Sequence, residues 1–544
     1  MRFLPANLDA LLVELDDLDQ TLGLLASLQR MPLPGVTELV PAARTVLLRF
    51  APWQTDAAQL ARALAERNIS RQAARPGALV EIPVCYDGED LAEVAQILGI
   101  TAGEVVRRHA QSEFSVAFTG FAPGFAYLSG GDPVFNLRRR STPRTRVPAG
   151  SLALGGSFSA IYPKASPGGW QIIGSTPLAM WDMAREVPAL LAPGARVRFL
   201  ACASKEEAAS ACQQLISKHK SLQPKAGKAQ AASNSIAQKS QAGPALVVRA
   251  TGLQTLFQDL GRSGQASQGV SASGAMDKAA LKEANRLVGN ASDSAALEVL
   301  GGGLVLQSRG ESLVAVTGAR TEVRLTTADG QSWPMPCHAP MALADGDSLR
   351  LAAPSAGLRN YVAVRGGFVV EPVLGSCSRD TLAEIGPEPL AAGRVLQIGC
   401  ARPLAAVAAP GMAHEELPAP GQQVVLDVVP GPRSDWFTRE ALELLTTQAW
   451  QVTPQSNRVG LRLSGAQALQ RAVEGELPSE AVVRGAIQVP INGQPVLFMA
   501  DHPLTGGYPV IAAVASYHLD LAGQIPVGAW VRFRSVRSFQ EITP

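Results

Sequence analysis

The strongest constraint on this chain is a phrase that it uses twice. "VPAGSLALGG" (147 to 156), "SPGGWQIIG" (166 to 174) and "PGARVRF" (193 to 199) recur as "VVRGAIQVPING" (482 to 493), "TGGYPVIAA" (505 to 513) and "VGAWVRF" (527 to 533), in the same order and at nearly the same spacing. Such blocks hold too much glycine and proline for helices, so they read as strands joined by tight turns. A repeat of this kind predicts that a similar β module closes each half. Within it, Gly-Gly followed by Trp170 or Tyr508 reads in two ways. It is a turn whose ring covers a barrel mouth, or a glycine edge where a ligand meets backbone N–H groups with the ring stacked on it.

With 544 residues the chain has room for three or four domains, and its 51 glycines and 39 prolines agree with many short strands. A net charge of +2 gives no general attraction to nucleic acid or membrane, so neither is an expected partner. No apolar run approaches the roughly 20 residues that span a bilayer, and the acidic N-terminal run is unlike a cleaved leader, which predicts a cytoplasmic protein. Six scattered cysteines without a CxxC pair, and histidines without ligand spacing, predict reduced thiols and no metal site.

The order of elements predicts an α+β, mostly β protein. Residues 1–87 read as β-α-β-β-α-β, with strands at 10–15, 37–40, 45–50 and in "ALVEIPVCY", and helices at 17–30 and 55–66; this is the ferredoxin-like pattern. Short helices follow at 88–98 and 101–111, the second opened by Thr101 with Glu104. Residues 88–212 form the β domain of the first half. Residues 213–244 read as a flexible linker, lysine-bearing and poor in large apolar groups, and 245–540 as the β-rich second half.

Candidate chemistry gathers in few places. Arg138, Arg139, Arg140, Arg144 and Arg146 fall within nine residues, and guanidinium forks suit carboxylate or phosphate, which points to a small anionic substrate. Arg138 to Arg140 fit a solvated turn better than Arg144 does, so Arg144 and Arg146 are the candidates. "GFAPGFAYL" adds rings and the polar tip of Tyr127. His109 is a candidate general base among few histidines. In the second half a glycine-serine loop bearing Arg262 leads to a helix with Asp277 as N-cap, an inner stripe of Ala280, Leu281, Ala284, Leu287 and Val288, and Gly289 at its end. Arg458, Ser479, Glu480, Gln488 and Asp501 lie near turns in three glycine-flanked segments, as cleft residues do.

Together "GFAPGFAYL", "TPRTRVPAGS", "QDLGRSG", "SGAMD" (Ser273 to Asp277), "ANRLVGN" and "TGGYP" resemble allophanate hydrolase subunits 1 and 2, the Kip inhibitor and Kip antagonist, also known as the B-type and C-type components of 5-oxoprolinase. The resemblance covers nearly the whole chain and implies cyclophilin-like β-barrel modules in both halves. It implies ATP-dependent opening of 5-oxoproline to glutamate with a separate A-type component of 5-oxoprolinase. The alternative is the carboxyltransferase part of a urea carboxylase or urea amidolyase, fed with carboxybiotin by another chain. A third reading, regulation of a sensor histidine kinase, fits a fusion of two opposed activities poorly. The expected catalytic groups are His109, Asp277, Glu480 and Asp501. Expected substrate contacts are Tyr127, Arg144, Arg146, Trp170 and Arg262, with Ser273, Arg458, Ser479, Gln488 and Tyr508. Departures from the family pattern at Phe158, Ser159, Ala160 and Ser175 leave a shifted substrate open, and the sequence leaves the oligomeric state open.

Overall fold

The computed structural model describes residues 1–69, 77–140, 142–218, 243–400, 404–411 and 416–544. Most of the expected linker, 219–242, lies outside the described residues. The helix Lys205–Lys218 corrects the expected start of that linker, because its first residues continue a helix instead of beginning a spacer.

The N-terminal unit is a four-stranded antiparallel sheet, in the order Arg2–Asn7, Ala10–Glu14, Thr45–Phe50, Val36–Pro41. Its helices Leu18–Arg30 and Ala57–Ala65 are capped by Asp17 and Asp56, each accepting from a backbone N–H three residues on at 2.8 Å. Successive residues of a strand face opposite ways. Leu11 and Val13 therefore join the helices' Leu24, Leu28, Leu60 and Leu64, while Leu12 joins Ala481 and Val482 of the second half. The expected ferredoxin-like strand order needs a correction. Leu79–Cys85 leaves this sheet for the first barrel, and its place is taken by Arg2–Asn7, an edge strand that tolerates Pro5.

Both halves contain a closed seven-stranded barrel. Around the first run Leu79–Cys85, Gln171–Ser175, Ser151–Gly155, Phe158–Ile161, Ala126–Ser129, Glu113–Thr119 and Arg196–Cys202. Around the second run Gln423–Pro430, Val510–Val514, Ala486–Gln488, Val496–Phe498, Gly460–Ser464, Trp450–Val452 and Trp530–Ser535. The two orders are the same, and each barrel closes on one parallel pair between its first and last strands. The repeated phrases fall on matching strands, as the repeat predicts.

Between the barrels in sequence stand a six-stranded and a five-stranded sheet around one apolar core. The helix Lys278–Leu287 packs on the five-stranded sheet, with Asp277 as its N-cap, its expected inner stripe buried and Gly289 at φ 74° beyond its end.

Candidate functional site

Each Gly-Gly-aromatic phrase enters its barrel from a two-stranded ribbon. Ser166–Gly168 pairs with Arg144–Val147 in one half, and Thr505–Gly506 pairs with Glu480–Ala481 in the other. The two ribbons face one cleft of about 510 Å³ between the halves. The first half supplies Phe121, Phe125, Tyr127, Tyr162 and Trp170, and the second supplies Arg471, Ser479, Gln488, Thr505 and Tyr508. The glycines make room. A Cβ on Gly168 would meet the Tyr162 hydroxyl, and one on Gly507 would meet Arg139 Nη1.

Hydrogen bonds across the cleft floor join the halves. Thr505 Oγ1 accepts from the Phe121 N–H at 3.0 Å, and Arg139 Nη2 donates to Ser479 Oγ at 3.0 Å. The Tyr127 hydroxyl lies 3.4 Å from both Thr505 Oγ1 and Ser479 Oγ. Arg139 Nε pairs with Glu476 at 2.7 Å. Burial pushes the Tyr162 phenol up to about 12, so it stays a neutral hydroxyl. Rings thus form one wall, and hydroxyls, an amide and guanidinium groups the other. Such a lining orients and polarises a small ligand; among the described residues it holds no histidine to take a proton.

Five expected contacts line this cleft: Tyr127, Trp170, Ser479, Gln488 and Tyr508. The remaining expected residues lie elsewhere, and all but the exposed Arg146 have a structural occupation. His109 is fully enclosed in the first barrel among Phe114, Phe135 and Phe199, bonded to Tyr86 Oη at 2.8 Å and Ser159 Oγ at 3.0 Å. Burial lowers its pKa to about 3, so it is a neutral core group and the general-base expectation is dropped.

Arg144 binds Asp90 at 2.6 Å and Glu89 at 2.8 Å, Arg146 is exposed outside the cleft, and Glu480 is locked to Arg433. Arg458 holds Asp501 by two bonds of 2.9 Å and also reaches Glu298; Ser273, at φ 53°, donates to Asp501 at 2.6 Å. Burial acts to raise the Asp501 carboxyl, but the Arg458 guanidinium outweighs it and holds the group below the ordinary range. Arg262 is buried and donates to the Ser378 carbonyl. Asp277 accepts from the Ala280 N–H and from Gln524, both at 2.8 Å, and burial pushes its carboxyl up to about 6. Arg458 with Glu298, Ser273 with Asp501, and Asp277 with Gln524 tie the sheet region to the second barrel, away from the cleft lining.

Three cleft arginines are absent from the expected contacts: Arg139 and Arg140, which read as a solvated turn, and Arg471. The arginine run signals the first two, while nothing local marks Arg471. Among the described residues no group of three His, Cys, Asp or Glu could hold a metal, and no helix is long and apolar enough to cross a membrane. The six cysteines are free, with Cys85 and Cys212 buried.

Two cyclophilin-like barrels that share one ring-and-arginine cleft define a paired-module class of protein. Its family is carried by two matches, "Carboxyltransferase domain, subdomain C and D" over residues 1–191 and "Carboxyltransferase domain, subdomain A and B" over residues 268–535. The chain belongs to this carboxyltransferase-domain family. It is 38% identical over 293 residues to the C-type component of the 5-oxoprolinase of Escherichia coli K12, covering 53% of this chain and 89% of that protein. It is 35% identical over 198 residues to the B-type component of the 5-oxoprolinase of Bacillus subtilis 168, covering 33% and 82%. The urea amidolyase of Lachancea kluyveri is 32% identical over 314 residues, 53% of this chain but 17% of that protein. A crystal structure of TTHA0988 superposes with a TM-score of 0.77 at 33% identity, over 97% of this chain and 99% of that one.

Proposed function

We propose that this chain unites the B-type and C-type components of an ATP-dependent 5-oxoprolinase, opening the lactam of 5-oxo-L-proline to L-glutamate with a separate A-type component. The carrying observation is the shared cleft, whose wall is contributed by both modules of a chain with relatives among both components. A five-membered lactam resists hydrolysis, and phosphorylation of its amide oxygen by ATP makes the carbonyl carbon a better electrophile for water. The reading gives this chain the work of binding and orientation. Phe125, Tyr127 and Trp170 pack on the apolar ring, and Ser479 and Gln488 meet the amide. Guanidinium groups take the negative charge, and the compartment is the cytoplasm.

The test mixes purified protein with a candidate A-type component, ATP and 5-oxoproline. Glutamate and ADP should form in equal amounts and fall together in Arg139→Ala. ADP without glutamate, or neither product with a competent partner, sinks the reading. The urea amidolyase relative supports one second reading, carboxyl transfer from carboxybiotin to a urea-like acceptor. It predicts loss of carboxyl from added carboxybiotin only when such an acceptor is present.

A further inference from the structure

The cleft holds three arginines, and they are not equivalent. Arg140 is held by Asp90 at 2.9 Å and Glu93 at 3.1 Å. Arg139 is held by Glu476 and by the Ser479 hydroxyl. Arg471 meets no carboxylate among the described residues. Its Nη2 donates to the Val489 carbonyl at 2.6 Å, its guanidinium carbon lies 5.6 Å from the centre of the Tyr508 ring, and its buried Nε has no hydrogen-bond partner.

The group is also well fixed. The backbone of Arg471 bridges to Phe437, and Gln488 Nε2 holds the Tyr508 carbonyl at 3.0 Å. A guanidinium laid on an aromatic face keeps its donors in its own plane, and the N–H groups that the Val489 carbonyl does not take can meet a carboxylate. The orphaned Nε is a donor that a ligand would satisfy.

We propose that Arg471, braced on Tyr508, is the carboxylate seat of the cleft, and that its ligand is a small ring-bearing carboxylate whose apolar face meets the first half's aromatic wall. The assignment rests on reading this cleft as the substrate site, and it moves the anion contact from Arg144 and Arg458, which internal acids occupy.

Calorimetric titration of the full chain tests it with three probes: 5-oxo-L-proline, cyclopentanecarboxylate, and 2-pyrrolidinone, which has the lactam but no carboxylate. Both carboxylates should bind at least about tenfold more tightly than 2-pyrrolidinone. Arg471→Ala should remove that preference, Arg471→Lys should restore part of it, and the exposed Arg146→Ala should leave it intact. A preference that survives in folded Arg471→Ala, or a wild type that binds neither carboxylate, overturns the seat. Should Arg471→Ala fail to fold, Tyr508→Leu decides: an unchanged preference overturns the seat and a weakened one upholds it. Turnover with the A-type component separates the two claims. Arg471-dependent carboxylate binding without glutamate formation would end the 5-oxoprolinase reading and leave the seat standing. Glutamate formation with an unchanged KM in Arg471→Ala would do the reverse.

Discussion

The two barrels carry the same strut with its charges exchanged. In the first, Arg144 stands opposite Gly168 on the ribbon and binds Asp90, whose backbone N–H donates to the Ile172 carbonyl. In the second, Glu480 stands opposite Gly506 and binds Arg433, whose backbone N–H donates to the Val510 carbonyl. Ile172 follows Trp170, and Val510 follows Tyr508, with a single residue between. The positions therefore match pair for pair, base for acid and acid for base. What the repeat retains is an ion pair joining ribbon to barrel, and either polarity serves. A charged residue beside a repeated motif is thus explained by bracing before catalysis is invoked.

The largest effect should come where the second half encloses both partners of an ion pair. Arg458→Ala leaves the fully buried Asp501 without its cation and the nearly buried Glu298 to Arg359 at 3.6 Å, which should cost about 3–5 kcal/mol in urea denaturation. A loss comparable with a surface pair would mean that water reaches this network.

The struts give the next contrast. The side chains of Arg433 and Glu480 are 4% and 8% exposed, against 18% for Arg144. Glu480→Gln should cost about 2–3 kcal/mol, because Arg433 keeps Glu14 as a partner. Arg144→Gln should cost about 1 kcal/mol or less, since Asp90 retains Arg140 and the Ile172 N–H. Equal costs would break the comparison.

The first barrel hides His109 among three phenylalanines, and pH exposes this. His109 has a folded pKa of about 3 against an ordinary 6.5, so the unfolded chain binds its proton first as the pH falls. The stability held by the neutral ring is complete above pH 6.5 and drains away towards pH 3. His109→Gln should flatten this decline in urea titrations across that window; an unchanged slope would assign the acid sensitivity to other groups.

The smallest stability effects distinguish the second glycine of each phrase. A Cβ on Gly169 comes no closer than 3.7 Å to its surroundings, so Gly169→Ala should change stability by about 0.5 kcal/mol or less. On Gly507 the Cβ meets the movable end of Arg139, so Gly507→Ala should fold while weakening 5-oxoproline binding about tenfold. Calorimetry on both variants reads the difference, and equal binding would show that Arg139 does not shape the cleft.

Much of the architecture is legible in the sequence because its signals are local. Helices at 17–30 and 101–111 announce themselves by period and caps, and the observed Leu18–Arg30 and Ala102–Gln111 agree. Arg2–Asn7 is hidden by Pro5, which argues against a strand until the strand is seen to be an edge. The partner of Leu79–Cys85 is Arg196–Cys202, over a hundred residues away, and no local pattern selects so distant a neighbour.

By itself the sequence determined the paired β modules, the helix behind Asp277 and the rings Trp170 and Tyr508 beside their glycines, since repeats, caps and glycine turns act over a few residues. Only the tertiary structure decided which charges are available. Arg144, Arg458 and Glu480 each meet a counter-ion brought from a remote segment, while Arg471 meets none among the described residues. An arginine's freedom to bind a ligand depends on the acids that folding sets around it, and that is a property of the packed chain.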